Sequence, residues 1–345
     1  MAYGATQPDI DSAEATPVSP LQRLVDHFAP GMAEVNRLIL ARMQSDVDLI
    51  PQLGGYLISA GGKRLRPLLT IAATELCGIP SEKPGRQHGL AACVEFIHTA
   101  TLLHDDVVDE SDERRGKATA NTVWSNQASV LVGDYLFSRA FQLMVADGSL
   151  EVLRILSDAS AVIAEGEVMQ LRCANDLSTD EAAYRKVIAA KTAALFAAAC
   201  EVGPVVAERP AAEQQALREY GHHLGMAFQL ADDLLDFAAD RAKLGKAVGD
   251  DFKEGKVTLP IIHAYAQSTG EDRAFWSRVI EDLDQKDGDL DHAMTLFDRT
   301  GALDATREAA RKEANAAIKA LSIFPKSDLR DLLEDVTRFV VDREF

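Results

Sequence analysis

Residues 89–108, GLAACVEFIHTATLLHDDVV, belong to a proline-free span that covers residues 85–203. The span is rich in alanine, leucine, valine and glutamate, which favours helices, and it lacks the main helix breaker. Apolar residues further along recur at helical spacing, as at Leu217, Tyr220 and Leu224. Alternating β-branched runs bounded by turn dipeptides are absent, so no sheet is predicted. The sequence therefore predicts an all-α bundle of ten or more helices, with buried central helices.

Turn-forming residues and prolines interrupt this helical pattern at several places. The expected breaks are residues 30–34, 61–67, 78–85, 112–119, 146–149, 175–178, 202–204 and 240–257. No serine- or glycine-rich linker separates two halves, and no internal repeat has a fixed period. We therefore expect a single helical domain over residues 21–345. Residues 1–20 are polar and contain three prolines, so we expect a disordered tail there.

The charge balance restricts the partners. The 345 residues include 36 lysines and arginines and 54 aspartates and glutamates, which gives a net charge of −18. Nucleic acids are polyanions, so no nucleic-acid partner is expected. An anionic substrate would need local cations or metal ions to overcome the overall repulsion.

Targeting and redox features indicate a cytoplasmic protein. No charge-free stretch is long enough for a transmembrane helix, and the first residues lack the basic-then-apolar order of a signal peptide. The four cysteines have no CxxC spacing, so reduced, mostly buried thiols are expected rather than a zinc site. At most a transient membrane association is expected, because the negative charge disfavours attachment to an anionic bilayer.

The first candidate site is the acidic stretch LLHDDVVDESDERRG at residues 102–116. Asp105 and Asp109 are four residues apart, so on a helix their carboxylates share one face, while Asp106 lies to the side. Carboxylates this close repel one another unless a cation lies between them. Oxygen-only ligands suit magnesium, which keeps several waters and shares substrate phosphates. A solvated acidic helix face is the structural alternative.

The second candidate site, FQLADDLLDF at residues 228–237, repeats this spacing. Asp232 and Asp236 are again four apart, and Asp233 repeats the offset. These acids lie between large apolar residues, where unpartnered carboxylates are costly. Two such motifs on facing helices predict one site for several magnesium ions.

Cationic residues bracket both acidic motifs. In GGKRLRP, residues 61–67, a glycine-rich turn carries Lys63, Arg64 and Arg66, and Pro67 suits the first turn of a helix. Backbone amides at a helix start, together with an arginine fork, form a diphosphate site. The other candidate cations are Arg114, Arg115, Lys191, Lys246 and Lys256. His98 is expected to contact a diphosphate, whereas the pair at 222–223 is interpreted as structural.

In this order, the motifs GGKRLRP, HDDVVDESDERRG, KT at 191–192, QLADDLLD and GKAVGDDFKEGK resemble those of the trans-isoprenyl diphosphate synthases, or polyprenyl synthetases. The resemblance covers about residues 20–345. The stretch IHTATLLHDDVVDESDERRGKATAN, residues 97–121, looks most like the long-chain members that make octaprenyl to decaprenyl diphosphate for quinone side chains.

The resemblance implies a helical bundle around a deep central cavity, the isoprenoid synthase fold, usually as a homodimer. It implies magnesium-dependent condensation of isopentenyl diphosphate with an allylic diphosphate, with three magnesium ions per loaded site. The implied metal ligands are Asp105, Asp109 and Asp232, with Asp106, Asp233 and Asp236 in the same acidic shell. The allylic diphosphate would be held by Arg114, Lys191, Lys246 and Lys256, and isopentenyl diphosphate by Lys63, Arg66, His98 and Arg115. Thr192 and Gln229 would face the developing allylic cation.

Product length depends on the face of the helix below the first acidic motif. Thr101 and Ala100 lie four and five residues before Asp105, and their small side chains would leave a tunnel open. This tunnel would pass Ile97 and Phe96. Its floor is expected from the following helices, at Phe137, Met144 or Leu156. The small residues favour a long product.

Three alternatives remain open. The first is a short-chain geranylgeranyl or farnesyl diphosphate synthase, against which Ala100 argues. The second is a terpene cyclase, whose second motif usually contains Asn and Glu rather than DDLLD. The third is a non-catalytic subunit of a heteromeric synthase, although such subunits can lose acidic motifs that are complete here.

Overall fold

The computed structural model describes residues 18–59, 64–78, 84–114, 116–237 and 249–342. The expected disordered tail lies outside these residues except for its last three positions, and Pro20 begins the first helix. Three predicted site residues, Lys63, Arg115 and Lys246, also lie outside the described residues.

The described residues form seventeen α-helices. In chain order they are α1 (Pro20–His27), α2 (Ala29–Arg42), α3 (Leu49–Ser59), α4 (Leu65–Cys77), α5 (Arg86–Val108), α6 (Ala120–Val123), α7 (Asn126–Asp147), α8 (Leu150–Cys173), α9 (Glu181–Ile188), α10 (Ala194–Val206), α11 (Ala211–Asp236), α12 (Asp250–Lys253), α13 (Leu259–Gln267), α14 (Gly270–Trp276), α15 (Asp289–Thr300), α16 (Ala302–Ala320) and α17 (Asp328–Asp342). The same residues include two π-helical segments, Ala189–Ala193 and Ser277–Glu281, and a 3₁₀ turn, Leu321–Ile323. The predicted all-α class is confirmed.

The prediction that no sheet forms is wrong in one detail. β1 (Glu113–Arg114) and β2 (Lys117–Ala118) pair as an antiparallel ribbon. Gly116 in the connecting turn has φ of +73°, a left-handed conformation that favours glycine. Strands of two residues are too short to produce a periodic pattern, although the ribbon lies inside the predicted break at 112–119.

Two predicted breaks are displaced because proline is tolerated where it falls. α2 already begins at Ala29, so Pro30 occupies the first helical turn, where its missing N–H has no partner to lose. α10 continues through Pro204 to Val206, and the chain leaves the helix only afterwards. Because α10 is buried along most of its length, its packing outweighs the cost of the internal proline.

Side-chain caps explain why several helices start where they do. The Ser149 hydroxyl accepts the N–H of Val152 at 3.3 Å and begins α8. The Asp180 carboxylate accepts the N–H of Ala183 at 2.8 Å and begins α9. These side chains satisfy backbone donors that the first helical turn leaves without partners.

The helices that carry the acidic motifs flank one buried helix. α5 packs against α4 and α7, and α11 packs against α16, while both contact α10. The largest apolar cluster joins residues of these central helices. A smaller cluster, which includes Tyr184, Met226, Leu230 and Leu259, lies under the second acidic motif.

One continuous helical segment of the described residues, Glu181–Val206, is long and apolar enough to cross a membrane by length and composition. However, 78% of its most apolar window is buried inside the fold. A segment that packs its apolar residues against other helices is a core helix.

Gly221→Ala is expected to destabilise the fold, because α10 and α11 approach closely at this residue. A Cβ at Gly221 would lie 2.8 Å from the Cα of Ala197. Glycine to alanine in a helix normally stabilises by about 0.5–1 kcal/mol, but overpacking against backbone should cost about 1–3 kcal/mol. Thermal unfolding should show Tm lowered by a few degrees. The control, Gly89→Ala in α5, places its Cβ where nothing lies within 4 Å and should leave Tm unchanged or higher.

Candidate active site

The first acidic motif closes the C-terminal end of α5. Asp109 caps the helix, and its N–H donates to the carbonyl oxygen of Asp105 at 2.8 Å. The Asp105 side chain is only 13% exposed, and the Lys191 ammonium lies 3.7 Å from its Oδ2. Burial raises the pKa of Asp105 to about 7, and the nearby Lys191 opposes that shift. Asp105 is thus a buried carboxylate that a cation stabilises.

Asp106 anchors the ribbon that follows α5. Nε and Nη2 of Arg114 lie 2.8 and 2.7 Å from its Oδ1. Burial raises the pKa of Asp106, and the Arg114 guanidinium opposes this. The Asn121 amide also donates to the Asp106 carbonyl at 3.2 Å. Asp106 therefore positions Arg114, for which the family resemblance implies a diphosphate contact.

A π-helical segment, Ala189–Ala193, presents Lys191 and Thr192 toward different helices. Nζ of Lys191 lies 2.7 Å from Oε2 of Glu167 on α8. The Thr192 hydroxyl instead donates to Oε1 of Gln229 on α11 at 2.9 Å. Helix α8 approaches this segment closely at Gly166, because glycine has no side chain there. The Cβ of any larger residue would lie only 2.9 Å from the Lys191 backbone nitrogen. Such π-bulges often occur at functional sites.

The second acidic motif divides its three carboxylates between solvent and interior. Asp232 is exposed, whereas Asp233 and Asp236 are only 3% and 4% exposed. Asp233 accepts hydrogen bonds from the Tyr184 hydroxyl and, at 2.9 Å, from Nε2 of Gln229. Oδ2 of Asp236 accepts the N–H of Asp251 at 3.0 Å. The three acids therefore have different surroundings despite their shared spacing.

A third carboxylate–cation pair joins the two motifs. Burial raises the pKa of Asp251 well above its usual range, and Asp233 and Asp236 add to this shift. Burial alone would lower the pKa of Lys256, but Asp251, Glu254 and Asp109 raise it. Because Lys256 interacts with acids from both sides, the ends of α5 and α11 border the same charged region.

The donor set suits a hard divalent cation. Asp105 is a largely buried carboxylate whose pKa burial raises, and nearby positive charge would relieve that cost. Burial also raises the pKa values of Asp233 and Asp251, so the surrounding region favours added positive charge. Within the described ranges, no three Asp, Glu, His or Cys side chains surround a single point closely enough to hold a metal ion. A bound ion would therefore need water or substrate oxygens as further ligands, which is how magnesium commonly binds.

Arg66 and His98 meet near the start of α4. Nη1 of Arg66 lies 3.2 Å from Nε2 of His98, and its guanidinium lies 4.3 Å from the centre of the Phe196 ring. Arg64, just before α4, has φ of +44° and turns its side chain toward Glu95, whose Oε1 is 3.6 Å away. The two arginines of GGKRLRP thus point to different partners.

The motif search missed three residues that contact the predicted site. They are Glu167, which pairs with Lys191; Tyr184, which donates to Asp233; and Asp251, which faces Lys256. Asp251 lies in a stretch that the motifs already marked, but nothing in the local pattern singled out Tyr184 or Glu167. Their partners come from other helices, so sequence spacing contains no signal for them.

Similarity to known proteins agrees with this geometry. A family model of polyprenyl synthetases matches residues 47–297. The chain belongs to the polyprenyl synthetase family. It is 47% identical over 327 residues to the octaprenyl diphosphate synthase of Escherichia coli K12. The aligned region covers 94% of this chain and 99% of that protein.

Two crystal structures resemble this polyprenyl synthetase closely. A decaprenyl diphosphate synthase from Rhodobacter capsulatus is 53% identical with a TM-score of 0.89, covering 94% of this chain and all of that one. A polyprenyl synthase from Caulobacter crescentus, complexed with calcium and isoprenyl diphosphate, is 51% identical with a TM-score of 0.89, covering 95% and 99%. The predicted isoprenoid synthase fold and prenyltransferase class are confirmed. Polyprenyl synthetases use divalent metal ions and isoprenyl diphosphate substrates.

The residues predicted to line the product tunnel belong to the core of this polyprenyl synthetase. Ala100 and Ile97 are fully buried, Phe96 and Met144 are nearly so, and all four lie in the largest apolar cluster. Thr101 is half-buried, and its hydroxyl donates to the His98 carbonyl at 2.8 Å. The face below the acidic motif is therefore apolar and built from small residues near the site.

Proposed function

We propose that this chain is a long-chain trans-polyprenyl diphosphate synthase. It condenses isopentenyl diphosphate onto an allylic diphosphate, such as farnesyl diphosphate, to give an octaprenyl to decaprenyl diphosphate for quinone side chains. The observation that carries the proposal is the meeting of Asp105 with Lys191, beside the Thr192–Gln229 pair. In this proposal the carboxylate binds a divalent cation, the ammonium binds a diphosphate, and the oxygens of Thr192 and Gln229 face the reacting centre. The octaprenyl and decaprenyl diphosphate synthases that it resembles support the product class.

The proposed residue roles divide the site into two diphosphate positions. Lys191 lies beside Asp105 of the first motif, and Lys256 lies 3.9 Å from Asp251, whose backbone N–H donates to Asp236 of the second motif. These positions support a role for both lysines in holding the leaving diphosphate. Arg114 is 39% exposed although Asp106 anchors it, so its guanidinium can also face that group. The full proposed sets are Arg114, Lys191, Lys246 and Lys256 for the allylic diphosphate, and Lys63, Arg66, His98 and Arg115 for isopentenyl diphosphate.

The metal part of the proposal assigns three magnesium ions to the loaded site. Asp105, Asp109 and Asp232 would hold them, with diphosphate oxygens and water as the remaining ligands. Bound magnesium would offset the charge of the diphosphate that leaves. Asp106 and Asp236, which contact Arg114 and the Asp251 backbone, support the neighbouring groups instead.

The proposed reaction needs no nucleophilic side chain. The bond between C1 of the allylic substrate and its diphosphate oxygen breaks, and the diphosphate takes the electron pair. The double bond of isopentenyl diphosphate attacks the resulting cation through its C4 and forms the new carbon–carbon bond. The released diphosphate then accepts the proton lost from C2 of the isopentenyl unit, and a new double bond forms there. The residues bind, orient and exclude water, because water would quench the cation.

The long product is proposed from the size of the residues below Asp105. Ala100 is fully buried in the apolar cluster that includes Ile97, Met144 and Leu156. A growing apolar chain can displace or separate such side chains without leaving polar groups unsatisfied. A short-chain synthase is the competing proposal, and product length distinguishes the two.

A homodimer is proposed from an exposed apolar face. On α7, Val130, Leu131, Phe141 and Val145 are 38–67% exposed and lie on one side of the helix. Exposed apolar faces of this kind commonly mark protein interfaces. A second copy of the chain is the proposed partner, and the enzyme is proposed to act in the cytoplasm, with transient membrane contact at most.

Turnover by the purified chain tests this function. With radiolabelled isopentenyl diphosphate, farnesyl diphosphate and magnesium, we expect label to enter an apolar diphosphate product. Excess EDTA should reduce the incorporation to background, and restored magnesium should recover it. Absence of condensation by a folded, magnesium-supplied chain would contradict the proposal and favour a non-catalytic subunit of a heteromeric synthase.

A further inference from the structure

Four side chains form a continuous hydrogen-bonded series across the candidate site. Thr192 Oγ1 lies 2.9 Å from Gln229 Oε1, and Gln229 Nε2 lies 2.9 Å from Asp233 Oδ1. The other oxygen of Asp233 accepts from the Tyr184 hydroxyl. The series joins the π-helical segment, α11 and α9, and its first two members are the proposed contacts of the allylic cation.

The direction of each hydrogen bond follows from Asp233, whose two oxygens are both acceptors. The ionised Asp233 carboxylate only accepts, so Gln229 presents its NH₂ group to Asp233. Its carbonyl oxygen then faces Thr192, whose hydroxyl donates to it. Thr192 and Gln229 therefore turn oxygen lone pairs, rather than hydrogens, toward a reacting cation. The orientation of an amide is assigned from such a network.

Tyr184 completes the network from below. It is 5% exposed and packs among Ile188, Leu230 and Leu259. With Tyr184 on Oδ2 and Gln229 on Oδ1, each oxygen of Asp233 has a donor. Asp232, the preceding residue, is exposed. Two adjacent acids of one motif therefore have different surroundings, one exposed and one buried.

We infer that Tyr184 and Asp233 are positioning residues that fix the Gln229 carbonyl oxygen toward the allylic cation, so that Asp233 is not a metal ligand. The inference rests on the proposed function. Without the Tyr184 donor, Asp233 can rotate to other partners and Gln229 can turn its NH₂ group toward the cation. The partial positive charge of the amide N–H groups would then destabilise the allylic cation that forms as the diphosphate leaves.

Tyr184→Phe tests the inference, with Tyr220→Phe as the matched control. Tyr220 is also fully buried, but its hydroxyl lies 3.4 Å from the Leu333 carbonyl, among residues that the site does not use. We expect Tyr184→Phe to lower kcat about 10- to 100-fold, the loss typical of a hydrogen bond to a charged group. The KM for isopentenyl diphosphate should stay within about twofold, because its proposed contacts are elsewhere. Tyr220→Phe should keep the wild-type kcat.

A second readout separates positioning from general disturbance. We would measure the binding of an allylic ammonium analogue with inorganic diphosphate, and of its neutral carbon isostere. Tyr184→Phe should weaken the ammonium analogue about tenfold while leaving the neutral isostere unchanged. Asp233→Asn, whose amide lets Gln229 reverse, should give the same selective loss and serves if Tyr184→Phe does not fold.

The outcomes distinguish this inference from the proposed function. If wild-type protein turns over but Tyr184→Phe keeps its kcat, or loses both analogues equally, the positioning role is overturned and the function stands. If Asp233→Asn instead raises the magnesium requirement without the selective loss, Asp233 is a metal ligand and the inference fails. If wild-type protein does not turn over, the proposed function and this inference fail together.

Discussion

Asp105→Asn is expected to lower kcat by about a thousandfold, comparable to removing one preorganised charge-stabilising group from an active site. The substitution keeps the size of the side chain but removes the negative charge beside Lys191. The carboxylate would no longer hold a divalent cation against the leaving diphosphate. Steady-state turnover at saturating magnesium measures the loss.

Folding should not suffer from this substitution. Burial raises the pKa of Asp105 from 3.8 to about 7, so the folded state loses stability progressively as pH rises from 3.8, and the full cost is present above about pH 7. An uncharged amide relieves this cost, and Tm should be unchanged or higher. Asp112→Asn, at an exposed position three residues after Asp109, should keep near wild-type kcat. A folded Asp105→Asn variant that keeps kcat within about tenfold would remove Asp105 from the catalytic site.

Ala100→Tyr is expected to shorten the product by several isoprene units. Ala100 is fully buried on α5, and five residues of helix place it about 7.5 Å along the axis from Asp105. A tyrosine ring there would fill the path that the growing chain needs. Chromatography of the dephosphorylated products measures the change. Some loss of stability, about 1–3 kcal/mol, should accompany the overpacking.

The control for this substitution is Ala100→Ser, which adds only one oxygen atom. It should keep the long product, so the length change can be attributed to the ring. If folded Ala100→Tyr makes a product of wild-type length, the chain does not elongate along this face of α5.

The features of the site that depend on short-range residue spacing were predictable from the sequence. The i, i+4 spacing of Asp105 with Asp109 predicts a pair of carboxylates on one helix face, because helix geometry alone places these residues there. The helical class followed from composition and from the absence of proline across residues 85–203. The resemblance to polyprenyl synthetases rested on short motifs whose order the whole chain preserves.

The different roles of neighbouring acids were not predictable, because they depend on packing between distant helices. Asp233 and Asp232 are adjacent in sequence, but only Asp233 faces Tyr184, which lies 49 residues earlier. Arg114 was assigned to a diphosphate, yet it pairs with Asp106 because the ribbon folds back on α5. Pro204 was expected to end a helix, but burial of α10 overrides that local preference.

The central claim is tested most directly by the length of the product that the wild-type chain makes. Purified protein would be incubated with labelled isopentenyl diphosphate, farnesyl diphosphate and magnesium, and the dephosphorylated product would be sized. We predict one predominant product of octaprenyl to decaprenyl length. A product no longer than geranylgeranyl would contradict the proposed elongation path below Ala100 and assign the chain to the short-chain synthases.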